Sequence, residues 1–365
     1  MTRYASNSLD VPRRVNGERA AARALVRASH QQGVAVIAAL LVVAAAAIIA
    51  AGMMARQSTQ VRLLQAELHR VQARALLLGG IDWARITLRH DERNSTITHR
   101  EQAWATPIND LQVSQEGDVR QAWFSGRIED EQGKFNLTNL ARNGLPVPEQ
   151  VEALTRLLTS LRIAEDSAPA IAQRIARSQA RREPGPRDAG NQSGQSNTPG
   201  ASGSSDAPGS TVDIGPSGAD TAGPARALGW QSLDDLREIE GIGHHDIDAL
   251  RPYLTVLPRS TPLNVNTTTV EVLATLSPEL SLSAAASIMN QRAQGNYFTN
   301  LGDFNNKLRS VVPDIELDNA QITTQSKWFG VVGTVRIEPA VVDMRALILR
   351  GDNPTTSTVW MQEAF

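Results

Sequence analysis

Gln31-Gln32-Gly33-Val34-Ala35-Val36-Ile37-Ala38 opens an apolar run that carries no charge until Arg56. From Val34 to Ala55 the run holds 22 residues. At about 1.5 Å per helical residue, that length covers a hydrocarbon core of about 30 Å. Nearly half of it is alanine, so hydropathy alone leaves a membrane anchor and an uncleaved secretory signal both open. The preceding leader carries Arg3, Arg13, Arg14, Arg19, Arg23 and Arg27 against Asp10 and Glu18. A short arginine-rich flank stays cytoplasmic, so the bulk of the chain is expected to be exported. Ala51-Gly52-Met53-Met54-Ala55 offers the small residues that a secretory cleavage site needs. The continuation argues against cleavage there. No proline occurs from Arg56 to Arg89, and Val61, Leu64, Leu68, Val71, Ala75 and Leu78 recur at alternating spacings of three and four. That is one apolar stripe along a helix. The pattern predicts a single helix from Val34 to about Arg89, roughly 80 Å long, with Gly79-Gly80 as its weak point. A stripe of this length is more often a packing seam than a ligand site.

The remaining chain has room for two or three domains. It has no cysteine, which excludes disulfides and thiol chemistry. Beyond residue 33 it holds 30 basic and 36 acidic residues, a balance near −6 that gives no electrostatic reason to seek nucleic acid.

His90 to Glu116 is polar, contains Trp104 and Pro107, and reads as irregular connection. Ala122 to Ile128 reads as a strand, Asp130-Glu131-Gln132-Gly133 as a turn, and Lys134-Phe135-Asn136-Leu137 as the return strand. Val151 to Leu161 and Ala168 to Arg177 are helical in pattern. Glu183 to Pro224 is built from Gly, Ser, Pro, Asn and Asp with hardly an apolar residue, and is expected to be disordered. Order resumes at Trp230. Ser232 to Ile239 and Asp246 to Leu254 read as helices flanking Gly241-Ile242-Gly243. Leu263-Asn264-Val265-Asn266-Thr267 leads into another helix, with Thr268 and Glu271 at capping-box spacing. Two more helices run from Ser283 to Arg292 and from Leu301 to Leu308. Trp328 to Ile337, Val341 to Leu349 and Thr358 to Met361 then read as strands. Strands on both sides of a helical block predict one sheet with a helical insertion.

The helix–Gly-x-Gly–helix arrangement has two readings. A helix-hairpin-helix would present backbone amides to DNA phosphates. A small protein-interaction module would use the glycines only to turn. Arg226 to Val312 holds seven basic and nine acidic residues, without the clustered cations that phosphate binding needs, so DNA is not the expected partner. No catalytic reading survives either. His30, His69, His90, His99, His244 and His245 fall in no metal-ligand spacing, and His244-His245 read as exposed loop residues.

Three segments carry a resemblance: Gly33-Val34 with its apolar run; Arg127-Ile128-Glu129-Asp130-Glu131-Gln132-Gly133-Lys134-Phe135-Asn136-Leu137-Thr138-Asn139-Leu140; and Thr261-Pro262-Leu263-Asn264-Val265-Asn266-Thr267. With the terminal strands, they make the chain similar to the general secretion pathway protein K family, minor pseudopilins of the type II secretion system. The resemblance implies an α+β fold, with a type IV pilin-like long helix on an antiparallel sheet and an all-α, helix-hairpin-helix-like insertion. It implies that a prepilin peptidase cuts after Gly33 and methylates Val34. It also implies a single-pass inner-membrane protein with a periplasmic globular region. Its expected partners are the I-type and J-type minor pseudopilins, with secreted cargo as a further contact, and its expected place is the tip of the pseudopilus, where its assembly begins. Pilin-like subunits usually carry a glutamate at the fifth mature position, which pairs with a neighbour's amino terminus. Here that position is Ala38, in keeping with a subunit that has no neighbour above it. The stripe Val61, Leu64, Leu68 and Val71 is the expected seam toward partner helices.

The expected organisation is a cleaved leader (1–33), the transmembrane half (34–55) and exposed half (56–90) of the long helix, and a first β part (91–144). An inserted α domain (145–182 and 226–320) follows, interrupted by a linker (183–225), and terminal strands (321–365) close the chain. The leader is long for the family, and the family's acidic, tryptophan-containing stretch is not recognisable. Calcium is a further implication of the resemblance, with no ligand set assigned. Asp130, Glu131 and Asn136 are oxygen acceptors near one turn and read as solvated turn residues. The competing reading from another class is a membrane-anchored helix-hairpin-helix DNA receptor of competence type. Such a protein would be basic around those motifs and would end there.

Overall fold

The computed structural model describes residues 16–113, 121–181, 224–315, 317–338, 340–351 and 355–364. The chain divides into two units, Met1–Val71 and Gln72–Phe365. The expected linker falls almost wholly on 182–223, outside the described residues.

The described part of the first unit is one helix, α1, Asn16–Asn94, which continues into the second unit. It outruns the expected Val34–Arg89 at both ends. Upstream, the Ala- and Arg-rich leader contains good helix formers and no proline after residue 12, and a lone Gly33 costs a helix only about 1 kcal/mol. Downstream, the Asn94 amide donates back to the His90 carbonyl (2.8 Å), closing the last turn. Among the described residues, Val34–Asn94 is the helix long and apolar enough to cross a membrane.

The second unit is built on a five-stranded antiparallel sheet: β1 Ile108–Gln112, β2 Ala122–Asp130, β3 Trp328–Ile337, β4 Ala340–Arg350 and β5 Thr356–Ala364, in spatial order β1-β2-β3-β4-β5. β2 and β3 pair in full register, from Ala122 opposite Ile337 to Asp130 opposite Phe329. One sheet with a helical excursion is therefore the topology. The excursion occupies 131–327, opening well before residue 145.

β1 lies where irregular chain was expected. Ile-Asn-Asp-Leu-Gln is an edge strand with hardly a buried side chain, so it lacks the alternation that reveals strands. Phe135–Asn136 is also not a return strand. It pairs in parallel with Leu254–Thr255 of the excursion. The side chains of Asp130 and Asn136 accept from Gln132 N and Thr138 N and cap successive 3₁₀ turns, which steer the chain off the sheet.

Helix α1 packs on the sheet through Ala73, Leu77, Ile81, Ala84 and Leu88. These meet Ile128 on β2, Phe329, Val331 and Val335 on β3, and Val342, Met344 and Ile348 on β4. Trp104 joins this core, edge-on to Phe329 with ring centroids 5.3 Å apart. Opposite the helix, β2 and β3 carry Gly126 and Gly333 side by side. The Phe124 ring fills that gap, where a Cβ on Gly126 would come within 2.9 Å of it and one on Gly80 of α1 within 2.7 Å. Gly80 is thus a contact point and not merely a weak place in the helix.

The excursion carries α2 Pro148–Leu161, α3 Ala168–Ser178, α4 His244–Leu250, α5 Val270–Ala274, α6 Leu282–Ala293 and α7 Leu301–Val311. α2, α3 and α4 share one apolar core, and α5, α6 and α7 share another. Ser232 to Ile239 forms a 3₁₀ helix over Leu233–Glu238 instead of an α-helix. The N-cap of α5 is Thr269, whose hydroxyl accepts from Val272 N, one residue beyond the expected Thr268.

The two adjacent glycines of α1 separate the contributions of propensity and packing. Gly79 has nothing near its absent Cβ. Gly79→Ala is expected to stabilise by about 0.5–1 kcal/mol. Gly80→Ala should show none of that gain, because its methyl meets Phe124. Thermal melts of the two variants give the comparison, and equal rises in Tm would contradict the close packing.

Candidate functional site

The two blocks that carry the sequence resemblance meet at the end of β2 and form a buried polar junction. Its centre is Asp130, the last residue of β2. One carboxylate oxygen accepts from Gln132 N (2.8 Å). The other accepts from Thr267 Oγ1 (2.6 Å), Ser326 Oγ (2.6 Å) and Asn264 Nδ2 (3.1 Å). Burial pushes the Asp130 carboxyl upward from its ordinary value, and these four donors pull the other way. Asn264, with no exposed surface, also donates to Thr98 O (3.1 Å) and accepts from Asn266 N (2.9 Å). Asn266 in turn pairs both ways with the Phe298 backbone, at 2.9 Å each.

Arg350, at the end of β4, ties the last turns of α1 to this centre. It donates to Ser326 O (2.6 Å) and Thr98 Oγ1 (2.9 Å), and pairs with Asp91 of α1 (3.2 Å). Gln132 holds the entry to β3 by accepting from Lys327 N (2.6 Å), and its amide reaches Pro262 O (3.2 Å). Gly133 is required for the close approach, since a Cβ there would lie 2.7 Å from Thr267 Oγ1. Asn139 and Thr261 exchange hydrogen bonds at 2.9 and 3.0 Å, and Asn136 donates to Arg259 O (2.8 Å). Helix α1, the sheet and the excursion within the second unit are thereby joined through one set of polar groups.

At the edge of the junction, Lys134 Nζ lies 2.9 Å from Glu129 and 3.0 Å from Glu131, and Thr255 Oγ1 donates to Glu131 (2.6 Å). Burial by itself would raise the Glu129 carboxyl. Lys134 and Arg127 more than offset this, bringing it down to about 2.

The three acceptors read as solvated turn residues are therefore structural. Asp130 and Asn136 are buried, and Glu131 is committed to Lys134 and Thr255. Asn136 Oδ1 is taken by Thr138 N and Leu257 N. No group of three or more His, Cys, Asp or Glu side chains placed to hold a metal ion occurs among the described residues. The sequence signal for this junction was the alternation of Leu263 and Val265 with uncharged Asn264 and Asn266. Residues 263–268 are all buried. Thr98, Ser326 and Arg350 gave no signal, because their partners lie far along the chain.

The helix–Gly-x-Gly–helix segment offers little to a phosphate. Asp246 Oδ2 already accepts from Gly243 N (2.9 Å). Arg251 pairs with Asp234 (2.6 Å) and Arg174 with Glu238 (2.7 Å). His244 and His245 are exposed, as expected, but sit in the first turn of α4 and not in a loop.

The remaining residues singled out from sequence lie on α1 in the first unit. Gly33 is inside the helix, and Val34 and Ala38 are exposed. Val61, Leu64, Leu68 and Val71 are 54 to 63 % exposed.

A long amino-terminal helix that packs on an antiparallel sheet interrupted by a helical excursion defines the class, a pilin-like α+β subunit. Residues 133–259 and 263–325, together just over half of the chain, match two family models, each described as type II secretion system (T2SS), protein K. The type II secretion system protein K of Pseudomonas aeruginosa is 29 % identical over 323 residues, 84 % of this chain and 85 % of that protein. A chain in the crystal structure of the GspK–GspI–GspJ complex from enterotoxigenic Escherichia coli has the same fold. It superposes with a TM-score of 0.50 at 17 % identity over 85 % of this chain and 99 % of that one. The chain belongs to the type II secretion system protein K family.

The low Glu129 value fixes a pH dependence. A carboxyl depressed from 4.5 to about 2 adds stability above pH 4.5 and loses it as the pH falls toward 2. Lys134→Met should therefore destabilise the chain more at pH 6 than at pH 3, as read from thermal melts. A penalty that does not shrink on acidification would contradict the Lys134–Glu129 pairing.

Proposed function

We propose that the chain is the minor pseudopilin that starts and caps the periplasmic pseudopilus of a type II secretion system, working with I-type and J-type minor pseudopilins. Val34–Ala55 anchors it in the inner membrane with the arginine-rich leader in the cytoplasm. A prepilin peptidase cuts between Gly33 and Val34, and Val34 becomes the methylated terminus. Ala38 leaves the fifth mature position without the carboxylate that a neighbour above would pair with.

The observation that carries this reading is the exposed stripe Val61, Leu64, Leu68 and Val71. Further along the same helix, the sheet is met by other residues, from Ala73 to Leu88. The chain's own sheet core therefore does not use the stripe, and four bare apolar side chains in water favour a partner. A partner helix covering them would gain on the order of 5–8 kcal/mol gross, before the cost of ordering. The complex solved for the Escherichia coli relative joins GspK to GspI and GspJ and supports this choice of partners.

The test co-expresses the full chain with prepilin peptidase and the I-type and J-type pseudopilins of the same genome. The purified chain is expected to begin at Val34 and to retain both partners. Leu64→Asp/Leu68→Asp should abolish the association while near-ultraviolet circular dichroism of the second unit stays unchanged. Unchanged affinity in the double variant would place the seam elsewhere, and a terminus near Arg56 would remove the pseudopilin reading.

A further inference from the structure

A cavity of about 340 Å³ opens between the segment around Arg100 and the helices α5 and α6. Arg100, Asn290 and Arg292 supply polar lining, and Val270, Ala286 and Met289 supply apolar lining. Arg292 is half-buried. It donates through Nη1 to the carbonyls of Thr268 (2.7 Å) and Val265 (3.4 Å). Its Nε and Nη2 have no partner among the described residues, and neither is sealed from solvent. No carboxylate of the described residues pairs with Arg292 or Arg100. Burial and the neighbouring Arg100 together bring the Arg292 guanidinium down to about 10, the response of a cation that lacks its counter-charge. Among the described residues lining the cavity the one acid is Glu101, which is hydrogen-bonded to the Tyr297 side chain, and the Tyr297 ring stacks on His99 at 3.9 Å.

An exposed arginine alone would be an ordinary solvated charge. A half-buried guanidinium held by two neutral carbonyls, beside a second cation and a cavity, is different. Its free edge matches the two oxygens of a carboxylate. The apolar wall beside it would be wasted on a fully hydrated ion such as phosphate, and suits a ligand with an apolar group next to its charge.

We propose that this cavity binds a peptide carboxylate borne on or beside an apolar residue, with Arg292 and Arg100 taking the carboxylate and Val270, Ala286 and Met289 taking the apolar group. The site is independent of the helix seam and of the assembly proposed above.

The test uses the full chain in detergent micelles, labelled with ¹³C at its methionine methyl groups, and reads the Met289 signal. N-acetyl-leucine is titrated against N-acetyl-leucinamide and inorganic phosphate. A saturable Met289 shift with N-acetyl-leucine only is expected. Arg100→Gln, an exposed position that perturbs no internal bond, should weaken it about tenfold. Arg292→Gln should abolish it, with Arg100→Gln deciding the matter if that variant loosens the fold. Equal binding of the amide, equal binding of phosphate, no saturable shift, or an Arg100→Gln variant that binds as tightly as the parent would each overturn the proposal.

Discussion

A carboxylate buried at the end of a strand is costly unless every lone pair finds a donor. Asp130 meets that demand by recruiting four donors from three places in the sequence: its own turn (Gln132), the Leu-Asn-Val-Asn-Thr block (Asn264 and Thr267) and the entry to β3 (Ser326). Removing any one of these segments would leave the buried Asp130 carboxyl short of a hydrogen-bond donor. The demand of one residue therefore holds the helical excursion against the sheet it interrupts, and Arg350 carries the same linkage to Asp91 in the last turn of α1 and to Thr98 just beyond it. The excursion between β2 and β3, residues 131–327, is about twice as long as the rest of the second unit. Its position cannot be left to two short connections, and the junction supplies the fixed geometry.

Helix α1 has a second, separate task. Where it lies on the sheet, it uses small residues and leucines on one face, with Gly80 admitting the Phe124 ring. Other apolar side chains on the same stretch, Leu78 and Ile86, stay 40 and 62 % exposed. A helix apolar on more than one side is built for more than one neighbour. One neighbour is the chain's own sheet, and the rest of the apolar surface is open to the partner helix proposed above.

The elements set by periodicity were legible in the sequence. The helix of α1, the amphipathic patterns of α2 and α3, and the β-rich runs of β3 and β4 were legible from periods of 3.6 or 2 residues, although the sheet is met by Ala73, Leu77, Ile81, Ala84 and Leu88 and the stripe read on α1 stays exposed. β1 was missed because an edge strand such as Ile108–Gln112 buries almost nothing. The Asp130-Glu131-Gln132-Gly133 segment was misread as a solvated turn, because Asp and Gln look alike to propensity whether a turn faces water or a buried set of donors. Local pattern cannot reveal that Asp130 will meet Ser326, whose side chain is 196 positions away. The proposed processing position and the proposed seam are local features of one helix, which is why a sequence can suggest them. The junction was visible only as two conspicuous blocks whose meaning lay in their contact.

The most direct test of this coupling is scanning calorimetry of Asn264→Ala in the full chain, with hydrogen exchange to locate the parts that open. Asn264 has no exposed surface and links Thr98, Asp130 and Ser326. Its loss leaves buried polar groups unpaired, at a cost of about 3 kcal/mol. The parent is expected to unfold its second unit in one transition. In the variant, that transition should split, with amides of α5, α6 and α7 exchanging ahead of those in β3 and β4. A single transition at an unchanged temperature, with the excursion and the sheet protected together, would contradict the view that the junction makes them one unit.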